Sequence, residues 1–215
     1  MVDQHATIEE MLENHGLMEA NGILAPIGEE AYEVEKDLKT VPRQIVEPTI
    51  RDFQSLVGSL LWVARSSRPN ISFAVHKATR CTQKPTMSDW KLTKRVARNL
   101  KETKNLKPKM IVPRNEGNRV NLASWSDSDY VADMADPKSV TGGVLTMDGA
   151  IVQWVCKTQT GVSRFDNGGR FYVGLARWAR IAKPRELMRK IGFKWRPRYQ
   201  CSWTTRLLPD SWRLK

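Results

Sequence analysis

Phe53, Leu56, Val57, Leu60 and Leu61 recur at the spacing of one helix face, but past Pro108 that period gives way to short runs suited to strands. The change of period constrains the fold more than any other feature. A chain that is helical before about residue 105 and strand-forming after it must combine the two classes in sequence. The expected class is therefore α+β.

Local signals mark the elements. Thr7 to His15 reads as a short amphipathic helix, with Thr7 as N-cap, Glu10 completing a capping box, Gly16 as the stop, and Ile8, Met11 and Leu12 as its apolar face. Pro26, Pro42 and Pro48 make residues 23–48 an extended connection. Thr49 and Asp52 open a second helix that ends before Ser67-Arg68-Pro69, and a third is expected from Asn70 towards Arg80. Pro85 interrupts that run. Ser88 is the expected cap of a fourth helix from Asp89 to about Glu102, with Trp90, Val96, Ala97 and Leu100 inward and Lys91, Lys94, Arg95, Arg98 and Lys101 outward. That basic face is either solvated or a binding surface. Met110–Val112, Val120–Trp125, Gly143–Met147 and Ala150–Cys156 are the strand candidates, and Asp148-Gly149 predicts a type I′ hairpin turn between the last two.

Charge divides the chain differently. The net formal charge is +12, from 35 Lys+Arg and 23 Asp+Glu. Residues 1–40 hold ten acidic side chains against Lys36 and Lys39, whereas residues 164–215 hold fourteen Lys+Arg against Asp166, Glu186 and Asp210. Trp178, Trp195, Trp203 and Trp212 are interleaved with the tail's arginines. Such a tail suits a nucleic-acid platform, because guanidinium groups neutralise phosphates and indoles stack on bases. The competing reading is a tail never selected as protein.

Several classes are excluded at this level. A hydrophobic content of 40% can build a core, which argues against a disordered tail protein. The apolar run from Leu56 to Ala64 is about half the roughly 20 residues that cross a bilayer. The N-terminus lacks the pattern of a secretory signal, so an intracellular product is expected, with cytoplasm and nucleus undistinguished. Cys81, Cys156 and Cys201 suit reduced thiols. No Gly-rich phosphate loop, HExxH or paired CxxC occurs.

Phe53-Gln54-Ser55-Leu56-Val57-Gly58-Ser59-Leu60-Leu61-Trp62, followed by Ser67-Arg68-Pro69-Asn70-Ile71-Ser72-Phe73-Ala74-Val75, resembles the end of the reverse transcriptase region in copia-type LTR retrotransposon polyproteins. Lys84-Pro85-Thr86, Trp90 and Lys94-Arg95-Val96 continue the likeness. Ser126-Asp127-Ser128-Asp129-Tyr130, Asp133, Asp136, Lys138-Ser139 and Gly142-Gly143 resemble the first ribonuclease H segment of that family, and Ile151, Trp154 and Lys157 fit its next strand. Ile8, Met11, Leu12 and Leu24-Ala25-Pro26-Ile27 fit the region just upstream. The resemblance covers about residues 8–163. It implies a chain that starts after the polymerase palm and runs into a ribonuclease H-like domain.

The same resemblance bears on chemistry. The family's Tyr-x-Asp-Asp polymerase hairpin is absent, and Tyr130-Val131-Ala132-Asp133 lacks the paired aspartates. Ribonuclease H cleavage uses two Mg²⁺ ions held by several carboxylates. By motif position Asp127 matches the first catalytic carboxylate, a vestigial Mg²⁺ ligand on the first strand of the domain. Asp129, Asp133 and Asp136 read as turn and surface residues. The family's later ligands lie in Ser-Thr-x-Glu-Ala-Glu and Asp-Asn-Gln motifs. Here Gly161-Val162-Ser163 runs instead into Arg164-Phe165-Asp166-Asn167-Gly168-Gly169. One carboxylate cannot assemble a two-metal site.

The genetic code offers a hypothesis for the loss. If Phe165 to Gly169 is encoded TTC-GAC-AAT-GGA-GGC with A following, the reading one base along is Ser-Thr-Met-Glu-Ala. Trp203 and the AC that opens any Thr204 codon likewise force an Asp two bases along, and suitable codons continue Asn-Gln. Arg185 to Phe193 resembles the family in its proper frame. The tail then combines out-of-frame and in-frame pieces, and coding DNA whose shifted frames spell neither motif overturns the idea.

These readings give four expected regions: an acidic helix and connection (1–48), the helical end of a reverse transcriptase region (49–105), a truncated ribonuclease H-like antiparallel sheet of about three strands (106–163), and a poorly packed Arg/Trp-rich tail with a helix near 174–192 (164–215). The implied protein is a catalytically incompetent polyprotein fragment. Mg²⁺ belongs to the parent family and no functional cofactor is expected. The implied partner is an RNA–DNA hybrid or other nucleic acid, with no membrane and no small-molecule substrate. The alternative is a non-catalytic nucleic-acid-binding protein that uses the basic helix and the tail.

Overall fold

The computed structural model describes residues 4–28, 49–108, 119–129, 140–158, 190 and 194–199. Helices occupy one unit, Val2–Lys107, and strands another, which begins at Pro108. Among the described residues no helix is long and apolar enough to cross a membrane.

In the helical unit α1 spans His5–Asn14, α2 Ile50–Ser66, α3 Ser72–Arg80 and α4 Met87–Glu102, with a short 3-10 turn at Pro69–Ile71 before α3. The helix α1 begins two residues before the expected Thr7, with Gln4 at its N-cap and no side-chain cap bond. Its end is as expected. Gly16 takes φ +64, and the Gly16 and Leu17 amides donate to the carbonyls of Glu13 and Leu12, a Schellman closure that a left-handed residue permits. The start of α2 is also as expected, since Thr49 and Asp52 form a reciprocal capping box. In α4 the cap is Thr86 and not Ser88: the Thr86 hydroxyl accepts from the Asp89 amide, and the Asp89 carboxylate accepts from the Thr86 amide. Both residues offer a hydroxyl, but only Thr86 has an acidic residue at the third helical position.

The faces predicted from periodicity meet in one core. Ile8, Met11 and Leu12 of α1, Leu56, Leu60 and Val63 of α2, Val75 of α3, and Leu92, Val96 and Leu100 of α4 pack together. Each fully buried Leu or Ile contributes about 1.5–3 kcal/mol. Phe53, Val57 and Ala78 form a second cluster beneath Trp90, whose ring lies 6.4 Å from that of Phe53.

The other unit holds β1 (Arg119–Asp129), β2 (Val140–Met147), β3 (Ala150–Thr158) and β4 (Lys194–Tyr199), in the order β3-β2-β1-β4. The first three form the expected antiparallel set, with Asp127 opposite Gly142 and Val144 opposite Trp154. Asp148 and Gly149 both have positive φ, 49° and 86°, as a type I′ turn requires. Two expectations are corrected. Asp129 ends strand β1 and is not a turn residue. The sheet is mixed, not antiparallel throughout, because β4 pairs parallel with β1, Arg119 opposite Lys194 and Ser124 opposite Tyr199. Part of the tail therefore joins the sheet. Pro197, which lacks an amide donor, lies in β4, at the edge of the sheet among the described strands, where proline is tolerated. The expected strand at Met110–Val112 lies outside the described residues, as do Asp133, Asp136 and nearly all of the expected helix near 174–192, in which Lys190 is helical.

Candidate nucleic-acid interface

Burying Phe53, Leu56, Val57, Leu60 and Val63 on one side of α2 leaves Arg51, Ser55, Gly58, Trp62 and Arg65 on the other. All five are exposed. Trp62 is 64% exposed, an unusual position for the largest apolar side chain. A Cβ built at Gly58 meets nothing within 4 Å, so packing does not require the glycine there. In mid-helix it costs roughly 0.5–1 kcal/mol relative to Ala. The stripe thus offers an aromatic face, a site of close backbone approach, and a guanidinium towards each end.

The basic face of α4 departs from its expected outward role. Lys91 is exposed, and Lys94 sits over the Trp90 ring, 5.6 Å from its centroid. The other three cations hold the segment after α1. Arg95 Nε donates to the Ala25 carbonyl (3.1 Å), Arg98 Nε to that of Asn21 (2.6 Å), and Lys101 Nζ to those of Ala20 (2.9 Å) and Met18. Asn99 Nδ2 donates to the carbonyls of Ile23 (3.1 Å) and Leu24 (2.7 Å). This contact is invisible in the helical period, which says which residues leave the core but not what they meet.

Asp127 lies on β1, as expected, three positions from Ser124, whose parallel partner is Tyr199. Among the described residues no group of three or more His, Cys, Asp or Glu could hold a metal ion. Among the described residues Asp127 alone matches the donor set that the resemblance implies. Nor does Cys156 offer a nucleophile, since burial pushes its thiol up to about 11 and keeps it protonated at neutral pH. Glu9 is held below the ordinary carboxylate range mainly by its hydrogen bond from Lys104 Nζ at 2.8 Å, a surface tie between α1 and the turn after α4.

Comparison with known proteins finds Pol polyproteins of plant transposons among the relatives of this chain. The Pol polyprotein from transposon RE2 of Arabidopsis thaliana is 31% identical over 121 residues, 56% of this chain. The Pol polyprotein from transposon TNT 1-94 of Nicotiana tabacum is 25% identical over 158 residues, 74% of this chain. The chain is a relative of the copia-type retrotransposon Pol polyproteins. It spans only 8% of the RE2 polyprotein and 12% of the TNT 1-94 polyprotein. An uncharacterized mitochondrial protein of Arabidopsis thaliana is 28% identical over 156 residues, 73% of this chain and 60% of that protein. No protein-family model and no solved structure matches the chain. For this Pol relative the matches support a retrotransposon polyprotein fragment, and the stripe on α2 and the strand bearing Asp127 are its two candidate functional features.

Proposed function

We propose that the chain represents the end of the reverse transcriptase region and the start of the ribonuclease H domain of a copia-type polyprotein, and that it does not cleave nucleic acid. The observation that carries this reading is the fate of the carboxylates. Asp127 matches the first family ligand on β1, but the sequence after β3 has no Ser-Thr-x-Glu-Ala-Glu motif and no Asp-Asn-Gln motif. With one matching carboxylate, two Mg²⁺ ions have no shared cage in which to activate water and stabilise a leaving oxygen. Purified protein incubated with an RNA–DNA hybrid and Mg²⁺ should leave the RNA strand intact. Cleavage that Asp127→Asn abolishes would overturn the proposal.

A second reading concerns binding, and the outer stripe of α2 favours it. Arg51 and Arg65 can neutralise phosphates, Trp62 can stack or pack on a sugar–base edge, and Gly58 lets the ligand approach the helix backbone. This moves the binding surface from the basic face of α4, where three cations are already engaged, to the far side of α2. Trp62→Ala should weaken binding to a labelled RNA–DNA hybrid by roughly 5- to 150-fold, equivalent to about 1–3 kcal/mol, and leave stability nearly unchanged. Equal affinity in the two proteins would remove the stripe from consideration.

A further inference from the structure

Residues 17–28 run beside α4 as an irregular segment with a turn at Met18 and Glu19, and the way they are held is informative. Leu17 is buried and Ala20 and Ile27 are partly buried against the helical core. Between those anchors Leu24 is 69% exposed, Met18 is 39% exposed, and Asn21, Gly22 and Ala25 are also exposed. Little apolar burial ties this stretch down. It is held by the side chains of Arg95, Arg98, Asn99 and Lys101 on its carbonyl oxygens, and by the Ile23 amide donating to the Arg98 carbonyl at 3.4 Å. Gly22 passes close beside Glu102, where a Cβ would fall 1.9 Å from Oε2 unless that side chain turned aside.

We propose that residues 18–25 are a strap that competes with nucleic-acid phosphates for the row Arg95, Arg98 and Lys101, so that phosphate binding along α4 requires the strap to leave. The inference rests on the nucleic-acid reading above and adds a second, covered surface to it. Cations spaced three apart lie along one side of a helix. In the strapped state the bonds named above go to neutral carbonyl oxygens. A phosphate oxygen carries a full charge, so to the hydrogen bond from a guanidinium or ammonium it adds an ion-pair attraction that a neutral carbonyl does not supply. An exposed segment with few buried apolar contacts belongs to the low-stability end of local opening. The carbonyls hold the row in the absence of a polyanion, and a phosphate backbone displaces them when present.

The strap can be loosened without altering the cations or the net charge. Ile23→Pro removes the amide that bonds Arg98, and Asn99→Leu removes the donors to Ile23 and Leu24. In the full chain both variants should bind a labelled RNA–DNA hybrid about threefold or more tightly than wild type, because the competent state no longer carries the cost of opening. In wild type, hydrogen exchange at the Ile23 amide should accelerate when the hybrid is added. That measurement does not depend on the folding of either variant. Hybrid binding weakened by Trp62→Ala, with both strap variants unchanged and Ile23 equally protected with and without hybrid, overturns the strap and leaves the α2 reading standing. No binding by wild type or by either strap variant overturns both.

Discussion

The guanidinium of Arg68 donates to the carbonyl oxygen of Thr103 at 2.7 Å and, through its other Nη, to the Thr103 hydroxyl, joining the turn after α2 to the C-cap of α4. Arg68 is 2% exposed, and its Nε also donates to Asn70 Oδ1 at 3.3 Å. Burial pushes it down to about 10, so it remains a cation at neutral pH. The C-terminal carbonyls of a helix, which carry partial negative charge, suit such a cation. Ser67-Arg68-Pro69-Asn70, part of the family resemblance, thus has a structural task. Arg68→Ala strands the Thr103 carbonyl and should destabilise the helical unit by about 2–3 kcal/mol, read as a lower urea midpoint. An unchanged midpoint would contradict this role.

The two candidate caps of α4 separate cleanly by mutation. Thr86→Ala removes an acceptor from the Asp89 amide and should cost about 1 kcal/mol, whereas Ser88→Ala should fall within about 0.5 kcal/mol of wild type. Thermal unfolding of both variants checks the assignment, and a larger loss from Ser88→Ala would reverse it.

Gly58 is a position where stability and function should diverge. Gly58→Ala adds a methyl group that meets nothing within 4 Å in the interior of α2, so the helical unit should gain about 0.5–1 kcal/mol. If close approach to the stripe matters, the same variant binds the hybrid less tightly. A stabilised variant with unchanged affinity would show that the glycine has no part in binding.

Acid should weaken the helical unit through its histidines. His76 is held below its ordinary value of 6.5 by burial and then by Arg80, and His15 by burial against a smaller opposing pull from Asp52. Both protonate more readily in the unfolded chain, so the unfolded state binds more protons as pH falls. Their contribution is complete above about pH 6.5 and is lost as pH falls through the lowered folded values. The urea midpoint should therefore drop between about pH 7 and pH 5, and His76→Gln should flatten that dependence. A wild-type midpoint that rises over this range would contradict the sign.

The helical core was the most legible part of the sequence, because Ile8, Met11, Leu12, Leu56, Leu60, Val96 and Leu100 follow a period that the helix geometry itself imposes. The Asp148-Gly149 turn was equally legible, since few residue pairs tolerate two positive φ values. The strand β4 is not legible in the sequence, although Lys194, Arg196 and Arg198 alternate with Trp195, Pro197 and Tyr199 at the two-residue period of a strand. Pro197 and the surrounding charge concealed it. A parallel partner distant in sequence leaves no local mark, whereas a hairpin does. The exposed stripe on α2 is present in the sequence as letters but not as a surface. Its recognition required knowing that Trp62 stays uncovered.

Local steric preference and side-chain period are properties of short segments, so the sequence by itself determined the α+β class, the helix faces, the ends at Gly16 and Thr49, the hairpin turn, and the resemblance to copia-type polyproteins. Tertiary structure decided what the polar residues do. By helical period Arg95, Arg98 and Lys101 form one solvated or binding face, whereas in the fold they hold the segment after α1. In the sequence Arg68 is one residue of a motif, and in the fold it donates to Thr103. The physical reason is the same in both cases: a charged side chain takes whichever partner the folded chain brings within about 3 Å, and sequence period carries no record of that partner.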